Sequence, residues 1–129
     1  MRFYLPVFLL LNLVSFSVIF QTETPKMLFE TGTFVYVGME NEATIVRKKN
    51  QQIETYNGGR TIIVMKIKWE NDYTYVLTQK KATNSPKNCM KRGSKIKSII
   101  TDFSSDRYSC TFNAGKCGSG SSIIRKIKD

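Results

Sequence analysis

An all-β fold is predicted, in the form of a small antiparallel up-and-down β-barrel or sandwich of about eight strands. Three features carry it. Short runs of β-branched and aromatic residues alternate with a period of two, turn residues separate them at short intervals, and no helical periodicity follows the N-terminal apolar run. With 129 residues, 41% hydrophobic and 12% aromatic, the chain makes one domain with a modest core and is too apolar for a disordered tail.

Met1-Arg2 precedes an apolar run from Phe3 to Phe20, broken only by Pro6, Asn12, Ser15 and Ser17. A positive start and a short apolar core, here Leu5 to Val14, describe a secretory signal peptide that forms a hydrophobic helix. Residues 1–20 are therefore read as a signal peptide, with cleavage after Ser17 as the best match to small-residue spacing. An uncleaved membrane anchor is the alternative, because the run reaches the lower edge of spanning length. No cysteine lies near enough for a lipobox. Residues 27–129 form a single all-β domain, placed outside the cytoplasm, either periplasmic or secreted.

The strands follow in order. Gly32–Val37 alternates Phe34 and Tyr36 against Thr33, Val35 and Val37, and residues 38–42 turn the chain into Ala43–Arg47. Gln51–Tyr56 stops at Asn57-Gly58-Gly59, where Asn-Gly suits a tight hairpin. Arg60–Trp69 puts Ile63, Met65, Ile67 and Trp69 on one face and Lys66 and Lys68 on the other. After Glu70-Asn71-Asp72, Tyr73–Gln79 carries Tyr73, Tyr75 and Leu77 on one side. A polar loop is expected over Lys80–Ser94, then Lys95–Asp102 through Ile96, Ser98 and Ile100. Ser104-Ser105-Asp106 turns into Arg107–Asn113, where Tyr108, Cys110 and Phe112 share a face. A flexible Gly-rich link, Ala114–Gly120, leads to a last strand, Ser121–Ile127.

The net charge of +10 is divided unevenly. Residues 21–72 hold seven basic and seven acidic side chains, whereas residues 73–129 hold twelve basic and three acidic, a net of +9. Such asymmetry favours an anionic partner: nucleic acid, acidic glycan, or phospholipid headgroups in peripheral membrane contact. The candidate anion-binding residues are Lys80, Lys81, Lys91, Arg92, Lys95 and Lys97. A solvated basic surface is the simpler reading, since no aromatics interleave with these lysines for base stacking.

The chain has no histidine, which excludes Ser-His-Asp, Cys-His and His-metal chemistry. Three cysteines lie in the basic half. In an oxidising compartment at least one pair should bridge. Cys110 and Cys117 flank the last hairpin and are the first choice, with Cys89 to either of them as the alternative. No C-x-x-C redox spacing exists, and three cysteines would need a carboxylate to complete a zinc site, so neither metal nor cofactor is expected. Ser94-Lys95-Ile96-Lys97 fits S-x-x-K but lacks the helix and partner motifs of that chemistry, and reads as a strand edge. Residues 115–122 have the composition of a phosphate-cradling loop without its order. Glu70 and Asp72 read as solvated turn carboxylates. No enzyme is expected.

Phe29–Phe34, Ile45–Arg47, Gln52–Glu54, Lys66–Trp69 and Asn71–Leu77 follow one another at tight spacing. This succession resembles the small exported β proteins of Bacteroidetes, flavobacteria especially, which are lipocalin-like in size and strand pattern. Members are sometimes named as topoisomerase IV, but the ATPase domain and tyrosine DNA gate of such an enzyme do not fit in 129 residues. The resemblance implies an extracytoplasmic β domain without a transferable catalytic residue. Tyr73 stands where relatives often carry cysteine.

Two functions remain open at this level. One is a cavity that takes a small apolar ligand against Trp69, Tyr75, Ile63 and Met65; the other is a polyanion-binding surface over residues 80–97. The aromatic group Trp69, Tyr73 and Tyr75 also reads as ordinary core, with the indole N–H and phenol O–H reaching turn groups.

Overall fold

The structure, a computed structural model, describes residues 15, 17, 22–85 and 89–129. The apolar run expected to be a signal helix lies outside these residues except for Ser15 and Ser17, both exposed. No helix among the described residues is long and apolar enough to cross a membrane.

Eight antiparallel strands form a closed barrel in which each strand pairs with its sequence neighbours and the last returns to the first. They are β1 (Gly32–Tyr36), β2 (Ala43–Lys48), β3 (Gln51–Tyr56), β4 (Thr61–Asn71), β5 (Thr74–Thr83), β6 (Lys95–Phe103), β7 (Arg107–Asn113) and β8 (Ser119–Lys128). Closure resolves the barrel-or-sandwich alternative, and each of the eight strands pairs with a neighbour on both sides. At the seam Phe34 pairs with Lys126 and Tyr36 with Ile124, past an irregularity between Thr33 and Phe34.

The period of two sorts the side chains as expected. Phe34, Ile45, Met65, Ile67, Tyr75, Leu77, Ile100, Tyr108, Cys110 and Ile124 point inward and form one core. Strand β5 runs longer than the alternation suggested, to Thr83, because its second half pairs with Ile62, Ile63 and Val64 across a bulge at Lys80. Strand β8 begins at Ser119, so the Gly-rich link is shorter than expected: a 3-10 turn over Gly115–Cys117 occupies it. At the β3–β4 connection Tyr56 pairs with Thr61, so the loop spans residues 57–60 rather than a two-residue turn. Asn57, Gly58 and Gly59 all take positive φ there.

One helix was not foreseen. Thr24 caps a five-residue α1 (Pro25–Phe29), its hydroxyl accepting the Met27 N–H, and Pro25 suits the first turn because its missing N–H costs nothing there. The helix lies across one end of the barrel. Phe29 is fully buried, its ring 4.9 Å from Tyr108 and 6.3 Å from Phe34. The Lys26 N–H donates to the Asp72 carbonyl, and Lys126 Nζ donates to the Leu28 carbonyl. This end, shared with the β2–β3, β4–β5 and β6–β7 turns, is the floor. The opposite end carries the longer loops and is the mouth.

Two aromatic positions depart from expectation. Tyr73 sits in the β4–β5 turn, half-exposed, edge-on to Phe103 at 6.2 Å, and does not share the inner face of Tyr75 and Leu77. Trp69 packs on Tyr75 with centroids 5.0 Å apart, yet its buried Nε1 finds no acceptor among the described residues.

Candidate functional site

The barrel interior divides into a filled floor and a cavity. Arg47 occupies the floor at 2% exposure. Its register explains this: Ala43, Ile45 and Arg47 alternate inward on β2, and Arg47 faces Gln52 directly across the β2–β3 hairpin. The guanidinium lies 4.8 Å from the Phe34 ring centre and 4.9 Å from that of Tyr75, a cation–π arrangement. Its Nε and Nη2 donate to Gln52 Oε1 at 3.0 and 2.8 Å, Nη1 to the Phe29 carbonyl at 3.0 Å, and Nη2 to the Tyr108 hydroxyl at 3.1 Å. Four of the five N–H donors of an arginine are thereby used. Burial opposes the Arg47 charge, but the Tyr108 and Tyr75 hydroxyls more than offset it and hold the pKa above its ordinary value.

Gln52 passes the order upward. Because its carbonyl oxygen accepts from Arg47, its Nε2 is left to donate, and it does so to Glu54 Oε1 at 2.9 Å. Tyr36 donates to the same oxygen at 2.6 Å, and Tyr56 donates to Oε2. Three donors thus converge on one buried carboxylate. Burial first, and the Glu54 charge second, push the Tyr36 hydroxyl well above its usual pKa and also raise that of Tyr56. Both therefore remain protonated donors at neutral pH.

Above the floor lies a cavity of about 340 Å³. Tyr36, Gln52, Glu54 and Tyr56 form its polar wall; Ile63, Met65, Leu77, Ile96, Phe112 and Ile124 form the apolar one. Met39 and Met90, from the β1–β2 and β5–β6 loops, line it at the mouth. Gly120 stands opposite Phe112, and a Cβ there would come within 2.8 Å of the ring, so glycine lets the phenyl lie flat over β8.

One cysteine pair bridges as expected, but through the Cys89 alternative and not the first-choice pairing of Cys110 with Cys117. Cys89 bridges Cys117, with Cα atoms 5.6 Å apart, and so ties the β5–β6 loop to the β7–β8 connection across the mouth. Cys110 cannot take this role because it faces the interior as a buried free thiol, whose pKa burial raises. Pairing across the last hairpin would require an inward residue to meet one at the rim. A disulfide fits an oxidising, extracytoplasmic compartment.

Of the residues expected to touch an apolar ligand, Ile63, Met65 and Tyr75 line the cavity. Trp69 does not: it is the cross-strand partner of Tyr75 at the floor end of β4, with the two ring centroids 5.0 Å apart. The expected anion-binding residues Lys80, Lys81, Lys91, Arg92, Lys95 and Lys97 are all exposed. The first five belong to the mouth end of β5, the following loop and the start of β6, while Lys97 lies further down and pairs with Glu70 at 3.3 Å. The polar wall was missed in the sequence, where Gln52 and Glu54 look like the solvent side of a strand whose core residue is Ile53. The usable signal was Arg47: if Ile45 faces inward, Arg47 does too, and the hairpin then turns Gln52 and Glu54 in with it.

Comparison with family models, with curated proteins and with solved structures finds no match to this chain.

Proposed function

We propose that the protein is a non-enzymatic extracytoplasmic barrel, periplasmic or secreted, that binds a small, largely apolar molecule in its cavity. The observation that carries this reading is the unfilled volume of about 340 Å³ between Ile63, Met65, Leu77, Ile96 and Phe112. A packed interior leaves few voids larger than a water molecule, so a space of pocket size at the mouth of an eight-stranded barrel suits a ligand. Eight strands give an interior just wide enough to hold one small molecule, as lipocalin-like barrels do. The resemblance to the exported Bacteroidetes proteins supports the compartment and adds no ligand.

A neutral apolar dye, N-phenyl-1-naphthylamine, tests it. The expected result is a saturable fluorescence rise with one site per chain, abolished by Leu77→Trp, which fills the cavity. A dye signal unaffected by that substitution would remove the cavity from the account. The basic mouth supports a second reading, in which Lys80, Lys81, Lys91, Arg92 and Lys95 meet a polyanion or an anionic membrane surface. Polyanion binding falls steeply between low and moderate salt through counterion release, whereas cavity binding is nearly indifferent to it.

A further inference from the structure

We propose that the polar wall of the cavity recognises the hydrogen-bond-donating head, a hydroxyl or ammonium group, of a small amphipathic ligand. Its apolar body would lie against Ile63, Leu77 and Phe112. This rests on the cavity reading above and adds to it the chemistry of the ligand's polar end.

The argument is one of donors and acceptors. A tyrosine hydroxyl has one hydrogen to give and two lone pairs to accept with. Tyr36 and Tyr56 have both given theirs to Glu54. Gln52 has committed an amide hydrogen to the same carboxylate and its carbonyl oxygen to Arg47. Apart from the second amide hydrogen of Gln52, what this wall still presents to the cavity is lone pairs: those of the two hydroxyl oxygens and the spare capacity of Glu54. Acceptors thus outnumber donors, and the head that matches the wall best is one that brings hydrogens.

The same wall disfavours a carboxylate head. It would place acceptor against acceptor and negative charge beside Glu54. Arg47, the other internal charge, gives no compensation at the cavity surface, since it is buried in the floor with four of its five donors engaged and does not line the cavity. The lysines at the mouth are exposed, and their attraction for an anion is screened within a Debye length of about 8 Å at physiological salt. Elsewhere in the lining Gln79, Ser98 and Ser122 come from three different strands, β5, β6 and β8, and carry no formal charge to hold a carboxylate.

A displacement series on the oxidised full chain tests this, with N-phenyl-1-naphthylamine as reporter and three competitors sharing an octyl body: 1-octanol, octylamine and octanoate. Octanol and octylamine are expected to displace the dye at least about tenfold more strongly than octanoate, as hydrogen bonds to a charged group warrant. Glu54→Gln should erase the advantage of octylamine over octanoate. Tyr56→Phe, which keeps the internal charge and removes one hydroxyl acceptor, should weaken octanol and leave octanoate unchanged; it serves as well if the Glu54 variant unfolds. Dye binding with octanoate equal to or stronger than the other two would overturn the head-group assignment and leave the cavity reading standing. No dye binding at all would remove both.

Discussion

The protein buries two opposite charges, Arg47 and Glu54, one residue of Gln52 apart, and surrounds them very differently. Arg47 is enclosed on every side: aromatic rings above and beside it, four hydrogen bonds, and the α1 helix beneath. Glu54 is held as firmly by Tyr36, Tyr56 and Gln52, but it borders an empty volume. A buried charge whose surroundings are complete locks a fold together. One whose partners still have unspent lone pairs beside a cavity is equipped to meet something else. The floor and the wall are thus one hydrogen-bonded chain with two purposes.

Breaking the floor should cost most. Arg47→Ala leaves Gln52, Tyr108 and the Phe29 carbonyl without their donor and detaches α1, so urea denaturation should show a loss of about 3–5 kcal/mol, the range for an orphaned buried partner. A loss below 1 kcal/mol would mean that the floor is not the locking element.

Next comes the mouth. The Cys89–Cys117 bridge closes 28 residues, for which chain entropy predicts about 3–4 kcal/mol. The double variant Cys89→Ser, Cys117→Ser should lose roughly that, and because the bridge ties the rim rather than the floor, hydrogen exchange should accelerate first in residues 84–94 and 114–118. Uniform acceleration would contradict the division into two regions. Thiol titration of the denatured, unreduced chain should find a single free cysteine, Cys110, which does not react in the folded state.

Alkali separates the regions less sharply. Tyr36 at the wall and Tyr75 at the floor both have hydroxyls pushed well above their ordinary pKa by burial. An unfolded tyrosine ionises near pH 10, so above that pH the unfolded state releases protons that the folded state keeps, and stability falls as pH rises. The decline should begin near pH 10 and steepen toward pH 11. Urea midpoints measured from pH 8 to 11 check this; a flat profile would deny the burial of both hydroxyls.

Much of the barrel was legible because its signal is local. Alternation in β4, β6 and β7 places Met65, Ile100 and Cys110 inward, and the turns fall where Asn, Gly, Asp and Ser cluster. The site was not, since it inverts the rule that polar side chains of a strand face water. Gln51–Tyr56 alternates Gln52, Glu54 and Tyr56 against Gln51, Ile53 and Thr55, and composition alone would bury Ile53. Only the hairpin register, Ile45 opposite Glu54 and Arg47 opposite Gln52, turns the polar set inward. Sequence proximity favours Cys110–Cys117 over the Cys89 pairing that forms, for a related reason: Cys110 faces the interior while Cys117 sits at the rim with Cys89.

The difference between wall and floor can be read in a single titration. Adding 1-octanol to isotopically labelled protein and following the Glu54 carboxyl carbon, the Tyr56 ring and the Arg47 Nε–H by NMR reports both at once. Saturable shifts at Glu54 and Tyr56 with Arg47 unmoved are the expected result. Shifts confined to the lysines of residues 80–95, or no shift at Glu54 when the ligand is bound, would contradict the assignment of the polar wall as the recognition site.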